Sequence, residues 1–291
     1  MNILKPDISA FKQLRDFPYR ENFVGFKQFT MHYIDEGKGE TILALHGEPT
    51  WSYLYRKFIP VLHNYRFIAP DFIGFGKSDK IAGWQNYSFD LHFQSIKSLI
   101  DKLALKNITL VVQDWGGLIG LSVLGANPKK FKRVVIMNTA LPVGGRLPAT
   151  LKIWTTFARY YPSLPIGLIM QAGACNRLST DVINAYKIPF PSKKYKSGVK
   201  AFPMMIPGNP SDQGVKELKM AQDVLSCWIK PVLILFSDKD PFFSRYYQFF
   251  DSLIPDSAYK KKVRIKNAGH YLQEDKGREI AHYIAQFAGK Y

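Results

Sequence analysis

Cysteine is close to absent. Cys175 and Cys227 are the only two in 291 residues, so no disulfide framework and no cysteine-built metal cluster is expected, and a reducing, cytoplasmic setting fits. Long apolar runs are missing too. Residues 1–20 carry charges and Pro6 without an uninterrupted apolar stretch, which predicts neither a signal peptide nor a membrane-spanning helix. Acidic residues are few beside basic ones, 23 against 40, for a formal net charge of +17. That excess does not point to nucleic acid, since no basic run exceeds Lys260-Lys261-Lys262 and no nucleic-acid-binding motif is present. A solvated, lysine-rich surface is the simpler reading, and neither a nucleic-acid nor a membrane partner is expected. Internal repeats are absent as well.

What is present is an ordinary globular composition, 46% hydrophobic and 22% charged, in a chain long enough for one large core with an insertion. Residues 26–35 alternate as half-buried antiparallel edge strands do. Short apolar runs at Thr41–Leu45, Tyr65–Ala69, Ile108–Val112, Arg133–Asn138 and Val232–Phe236 read as strands, and Lys262–Lys266 as a last one. Helical spacing lies between them, at 51–61, at 88–103 with Ser88 as the cap, and at the C-terminus to about Ala288. This alternation predicts an α/β fold with a mostly parallel central sheet flanked by helices. From Leu141 to about Asp212 the texture changes to prolines, aromatics and short helical pieces at 150–160 and 179–186. The expected division is a main domain of residues 1–141 and 213–291 and an inserted helical cap, or lid, of 142–212.

The chemistry concentrates at Gln113-Asp114-Trp115-Gly116-Gly117, where a buried strand turns at once into a helix. Such a turn resembles a nucleophile elbow, which holds a reactive side chain above the sheet at a helix N-terminus. Serine is the usual occupant; here it is Asp114, and a carboxylate suits attack on an alkyl carbon or a strained ring. The plain alternative is a helix-capping Asp. Downstream come Asp240, after a late strand, and His270, after the last one. Nucleophile, acid, histidine is the chain order of α/β-hydrolase triads. Asp238 is the competing acid, set aside because Asp240 stands at the strand end before Pro241. His32, His63, His92 and His282 read as structural residues on strand or helix surfaces, and His46 as packing under a His-Gly turn.

The pieces His46-Gly47-Glu48-Pro49-Thr50-Trp51, Ala69-Pro70-Asp71-Phe72-Ile73-Gly74-Phe75-Gly76-Lys77-Ser78-Asp79, Val112-Gln113-Asp114-Trp115-Gly116-Gly117 and Gly269-His270 together resemble a haloalkane dehalogenase over nearly the whole length. The second piece is shared with epoxide hydrolases; Asp followed by Trp, together with Glu after His-Gly, is more selective. It points to the branch that binds halide with two tryptophans. The resemblance implies that Asp114 attacks, that His270 activates water with Asp240 orienting it, and that Trp115 and Trp154 bind halide. Indole N–H donates only, which suits a leaving anion. The backbone N–H groups of Glu48 and Trp115 would form the oxyanion hole. Phe202 and Pro203 resemble pocket residues, with Leu118, Leu151, Ile206, Phe242 and Phe243 as further wall candidates. Substrate, water and halide are the implied partners, without metal or organic cofactor, and a monomer is favoured.

Two rivals stand. An epoxide hydrolase shares the fold, the Asp and the His, and needs two lid tyrosines; Tyr160, Tyr161, Tyr186 and Tyr195 are available. A non-catalytic small-molecule-binding homologue keeps the fold but usually loses a triad member.

Overall fold

The computed structural model describes residues 2–14, 16–257 and 259–291. In chain order its strands and helices are β1 (Ile3–Leu4), β2 (Asn22–Phe26), β3 (Phe29–Glu36), β4 (Thr41–Leu45), β5 (Arg66–Pro70), β6 (Lys80–Ile81), α1 (Phe89–Lys102), β7 (Ile108–Gln113), α2 (Trp115–Ala126), β8 (Phe131–Met137), α3 (Ala149–Tyr160), α4 (Ile166–Gly173), α5 (Thr180–Lys187), α6 (Ser197–Met204), α7 (Val215–Ser226), β9 (Val232–Ser237), α8 (Tyr246–Leu253), β10 (Lys260–Ile265) and α9 (Leu272–Lys290).

Eight strands form one sheet in the order β10-β9-β8-β7-β4-β5-β3-β2. β2, β3 and β5 pair antiparallel and the remaining neighbours parallel. All residues of β4, β7 and β9 are buried, which is why these strands read as continuous apolar runs: helices cover both faces. β4 lies between β5 and β7, so the chain leaves the sheet centre in opposite directions after β4 and after β7. Ligands bind at the carboxyl ends of strands beside such a switch point. The pairing Leu45↔Val112 brings His46-Gly47-Glu48 alongside Gln113-Asp114 there.

Local signals behave as their physics requires. Ser88 Oγ accepts from Leu91 N at 3.1 Å and starts α1, and Ser179 caps α5 in the same way. Residues 51–61 depart from expectation. Only Ser52–Tyr55 forms a 3₁₀ turn, because Pro60 has no N–H to continue a helix and disfavours helical backbone at Ile59. Leu54, Phe58 and Leu62 are still fully buried. β3 also differs: it sits inside the sheet, between β2 and β5, and β2 is the edge on that side. Helices α3 to α6 follow β8 and precede α7, which packs against α2.

Candidate active site

Asp114 joins β7 to α2 with φ 51° and ψ −127°, a strained conformation for a non-glycine residue that persists only where its surroundings enforce it. Its N–H donates to Asn138 O at 3.0 Å, and its carbonyl accepts from Thr139 Oγ1 at 2.7 Å. The glycines around it are forced by contact. A Cβ on Gly47 would strike the Asp114 carboxylate, and one on Gly116 would strike the Leu45 carbonyl. The result is a carboxylate presented above the strand ends, with Glu48 N–H donating to Oδ1 at 2.8 Å and the Trp115 N–H also favouring its charged form.

His270 follows β10 and Asp240 follows β9, so adjacent strands deliver the pair. His270 Nδ1 lies 3.0 Å from Asp240 Oδ2, and His270 Nε2 lies 3.7 Å from Asp114 Oδ2. Asp240 Oδ1 accepts from the N–H groups of Phe242 and Phe243 at 2.8 and 3.2 Å, which aims the other oxygen at the imidazole. Asp238 is exposed and bonds Ala268 N instead, away from His270. Burial alone would lower the His270 pKa; the charge and hydrogen bond of Asp240, with the charge of Asp114, leave it raised above 6.5. Burial pushes the Asp114 carboxyl up, opposed by the His270 charge and the two backbone donors.

Two neighbours were not singled out by sequence. Gln113 Nε2 lies 3.3 Å from both His270 Nε2 and His270 O; the signal was a polar residue ending an apolar strand. Tyr271 stands in the cavity wall with its hydroxyl donating to Glu48 O at 3.4 Å, and nothing in its sequence context marked it. The Glu48 side chain is buried, its Oε1 has no partner, and burial together with the Asp114 charge raises its pKa well above the usual carboxylate range.

The histidine and loop positions need two corrections. His32 and His92 are not surface residues; both are fully buried. β3 is an interior strand, so His32 meets Asp71 at 2.8 Å, and His92 lies against Phe72, Tyr87 and Phe202. His46 bridges the site loops: its Nδ1 lies 2.9 Å from Gly47 O, and its Nε2 accepts from Phe72 N at 3.0 Å. Asp71 organises the glycine-rich loop after β5 by accepting from Ser52 N and Lys77 N at 2.7 and 2.8 Å.

A cavity of about 390 Å³ opens over the triad, near the small end of the roughly 300–1,000 Å³ range of small-molecule sites. Leu118, Leu151, Ile206, Phe242 and Phe243 line it, together with Trp115 and Trp154. Among the described residues neither of those indole N–H groups donates to a protein acceptor, whereas Trp51 Nε1 donates to Ala185 O at 3.2 Å. Phe202 and Pro203 do not line the cavity. Both are buried in α6, where Phe202 stacks on Trp115 at 4.7 Å between ring centres and is wedged against Phe75 and His92. Phe202 therefore backs the Trp115 indole from behind. No cluster of metal-ligating side chains occurs among the described residues.

Comparisons with known proteins bear on the fold and the family. The family model described as alpha/beta hydrolase fold matches residues 40–277. A haloalkane dehalogenase of Psychrobacter cryohalolentis is 39% identical, over 99% of this chain and 98% of the relative. A solved structure described as the tetrameric haloalkane dehalogenase DpaA from Paraglaciecola agarilytica NO2 superposes with a TM-score of 0.92 at 37% identity, covering 97% of each chain. A cis-3-alkyl-4-alkyloxetan-2-one decarboxylase of Shewanella oneidensis is 30% identical over 93% of this chain and 88% of the relative. An aspartate at the elbow, an Asp–His pair facing it and these similarities lead to one placement: the chain belongs to the α/β-hydrolase fold family and, within it, to the haloalkane dehalogenases.

Proposed function

We propose that this chain cleaves the carbon–halogen bond of small haloalkanes, giving alcohol, halide and a proton, with residues 142–212 acting as the cap over a site supplied by one chain. The observation that carries the reading is the pair of unpartnered indole N–H groups, Trp115 and Trp154, in an apolar cavity that also contains an aspartate at the elbow. A lone pair on Asp114 Oδ2 forms the new O–C bond as the carbon–halogen bond breaks, and the halide leaves toward the two indoles. Oδ1, already held by Glu48 N–H, becomes the ester carbonyl. His270 Nε2 then takes a proton from water, whose oxygen adds to the Asp114 carboxyl carbon. The oxyanion forms on Oδ1, which the Glu48 N–H already holds, and the Trp115 N–H is the second donor of the reading. Collapse breaks the bond from the carboxyl carbon to Oδ2 and expels the alkoxide, which takes the second water proton from the new hydroxyl to leave as the alcohol, and the imidazolium returns its proton to solvent. Asp240 holds the ring and stabilises the imidazolium. The Glu48 carboxyl, facing the same space with its Oε1 unpartnered, offers the water a hydrogen-bond partner. Free, exposed Cys175 and Cys227 fit a reducing compartment, and we place the chain in the cytoplasm.

The epoxide-hydrolase reading is less well supported. The tyrosines lining the cavity are Tyr246 and Tyr271, both outside the helical insertion, so Tyr160, Tyr161, Tyr186 and Tyr195 do not offer the required pair. Halide release from short bromo- and chloroalkanes, run beside epoxide and oxetan-2-one panels, tests the assignment. Haloalkane turnover, saturable bromide quenching of tryptophan fluorescence, and loss of that quenching in Trp154→Phe are expected. Turnover confined to either of the other panels would overturn it.

A further inference from the structure

Helices α3 and α4 expose large apolar side chains without protein cover. Ile153 is 70%, Tyr160 75% and Leu168 71% exposed, and Phe157 and Tyr161 also reach solvent. Ile153, Phe157 and Tyr160 recur at i, i+4 and i+7, which places them in one stripe opposite buried Leu151 and Ala158. Lys152 and Arg159, seven apart, run beside it. Phe157 and Leu168 also line the active-site cavity. The patch is therefore the lip of that cavity.

A contiguous exposed apolar patch marks a binding face, and its surroundings identify the partner. Residues 142–212 contain nine lysines and arginines but only Asp181 and Asp212 as acids. The turn from α3 to α4 supplies Pro162, Ser163 and Leu164 to a second depression, of about 540 Å³, whose other walls include Trp84, Lys193, Lys194, Lys196 and Lys200. Lys196 Nζ is fixed there by Ser163 Oγ at 3.1 Å and Leu164 O at 2.9 Å. No carboxylate lines that depression.

From this juxtaposition we infer that the face docks on an anionic lipid surface. The Ile153–Phe157–Tyr160 stripe and Leu168 lie at the acyl boundary, and the lysine-lined depression meets headgroup phosphates. On the proposed reading of the cavity, an apolar substrate dissolved in the bilayer then enters through the lip directly. A second copy of the chain fits this face poorly, because pairing it with itself brings two basic clusters together. The expectation of no membrane partner rested on the lack of a spanning segment. Among the described residues no helix is long and apolar enough to cross a membrane; docking on a surface requires only a helix with an apolar face and a basic flank.

Co-sedimentation of the full chain with phosphatidylcholine vesicles, with and without phosphatidylglycerol, tests this. Three proteins are compared: wild type, Ile153→Glu/Tyr160→Glu, and Lys193→Gln/Lys194→Gln/Lys200→Gln. Circular dichroism and turnover of a water-soluble short haloalkane report folding and catalysis separately from docking. Wild type should be retained on phosphatidylglycerol vesicles and not on phosphatidylcholine alone. The apolar pair of substitutions should weaken retention about tenfold or more, and the lysine triple should remove its salt sensitivity. Three results overturn the inference: no retention of wild type, equal retention of the Ile153→Glu/Tyr160→Glu protein, or a larger solution size for wild type that this variant alone reduces, which assigns the patch to a second copy. Loss of haloalkane turnover in wild type with retention intact would instead count against the proposed function.

Discussion

At the scale of single residues, the site shifts the pKa values of two carboxyls and one imidazole upward within one apolar space. Neutral Nε2 of His270 is needed to take the water proton, and its pKa lies above 6.5. We expect the ester-hydrolysis step to slow by about tenfold per pH unit below that raised value, read as the acidic limb of kcat against pH. Asp240→Asn should shift the limb to lower pH while reducing the maximum, since Asp240 is the chief source of the upward pull. Glu48 makes an opposite kind of prediction. Its folded-state pKa lies well above the ordinary 4.5, so between those values the native state holds a proton that the unfolded chain has lost, and stability falls as pH rises. Glu48→Gln lacks this slope. It should melt higher than wild type at pH 8, with the gap closing toward pH 4, as measured by thermal unfolding across pH. Asp114, Asp240 and His270 were legible in the sequence because strand ends and chain order identify them. Gln113 and Tyr271 were not, because their roles depend on which side chain lies across the cavity. Phe202 was misplaced for the same reason: sequence put it near the substrate, and packing put it behind Trp115.

At the scale of elements, the elbow shows how tightly the sequence is constrained by contact. α2 begins so close to β4 that Gly116 has no room for a Cβ against the Leu45 carbonyl. Gly116→Ala should cost about 1–3 kcal/mol, measured by denaturant unfolding, and should lower kcat because Asp114 moves with the turn. The central strands β4, β7 and β9 were readable because burial on both faces leaves an apolar run. The stretch after β4 was not, because burial of Leu54, Phe58 and Leu62 gives helical spacing even where Pro60 prevents a helix. Burial of His32 was also invisible, since alternation looks alike on an edge strand and on one covered by a neighbour.

At the scale of the whole molecule, a buried ionic network ties distant segments together. Arg56 forms a bidentate pair with Glu274 of α9, Tyr186 of α5 donates to the same carboxylate, and Arg56 Nε donates to Asp16 at 2.8 Å. Removing one member strands the rest: Glu274→Ala should destabilise by about 3–5 kcal/mol, seen as a lower denaturant midpoint. Some of the net charge of +17 has a structural place. Lys261, Lys262 and Arg264 lie on β10, the sheet edge, where charge discourages edge-to-edge pairing. The central claim concerns one bond, that between Asp114 and the substrate carbon. The most direct test is intact and peptide mass measurement of the His270→Phe protein after exposure to a short bromoalkane. A stoichiometric mass gain of one alkyl group on the peptide bearing Asp114, formed with one equivalent of bromide, is predicted. Bromide release without any adduct, or an adduct on another residue, would contradict it.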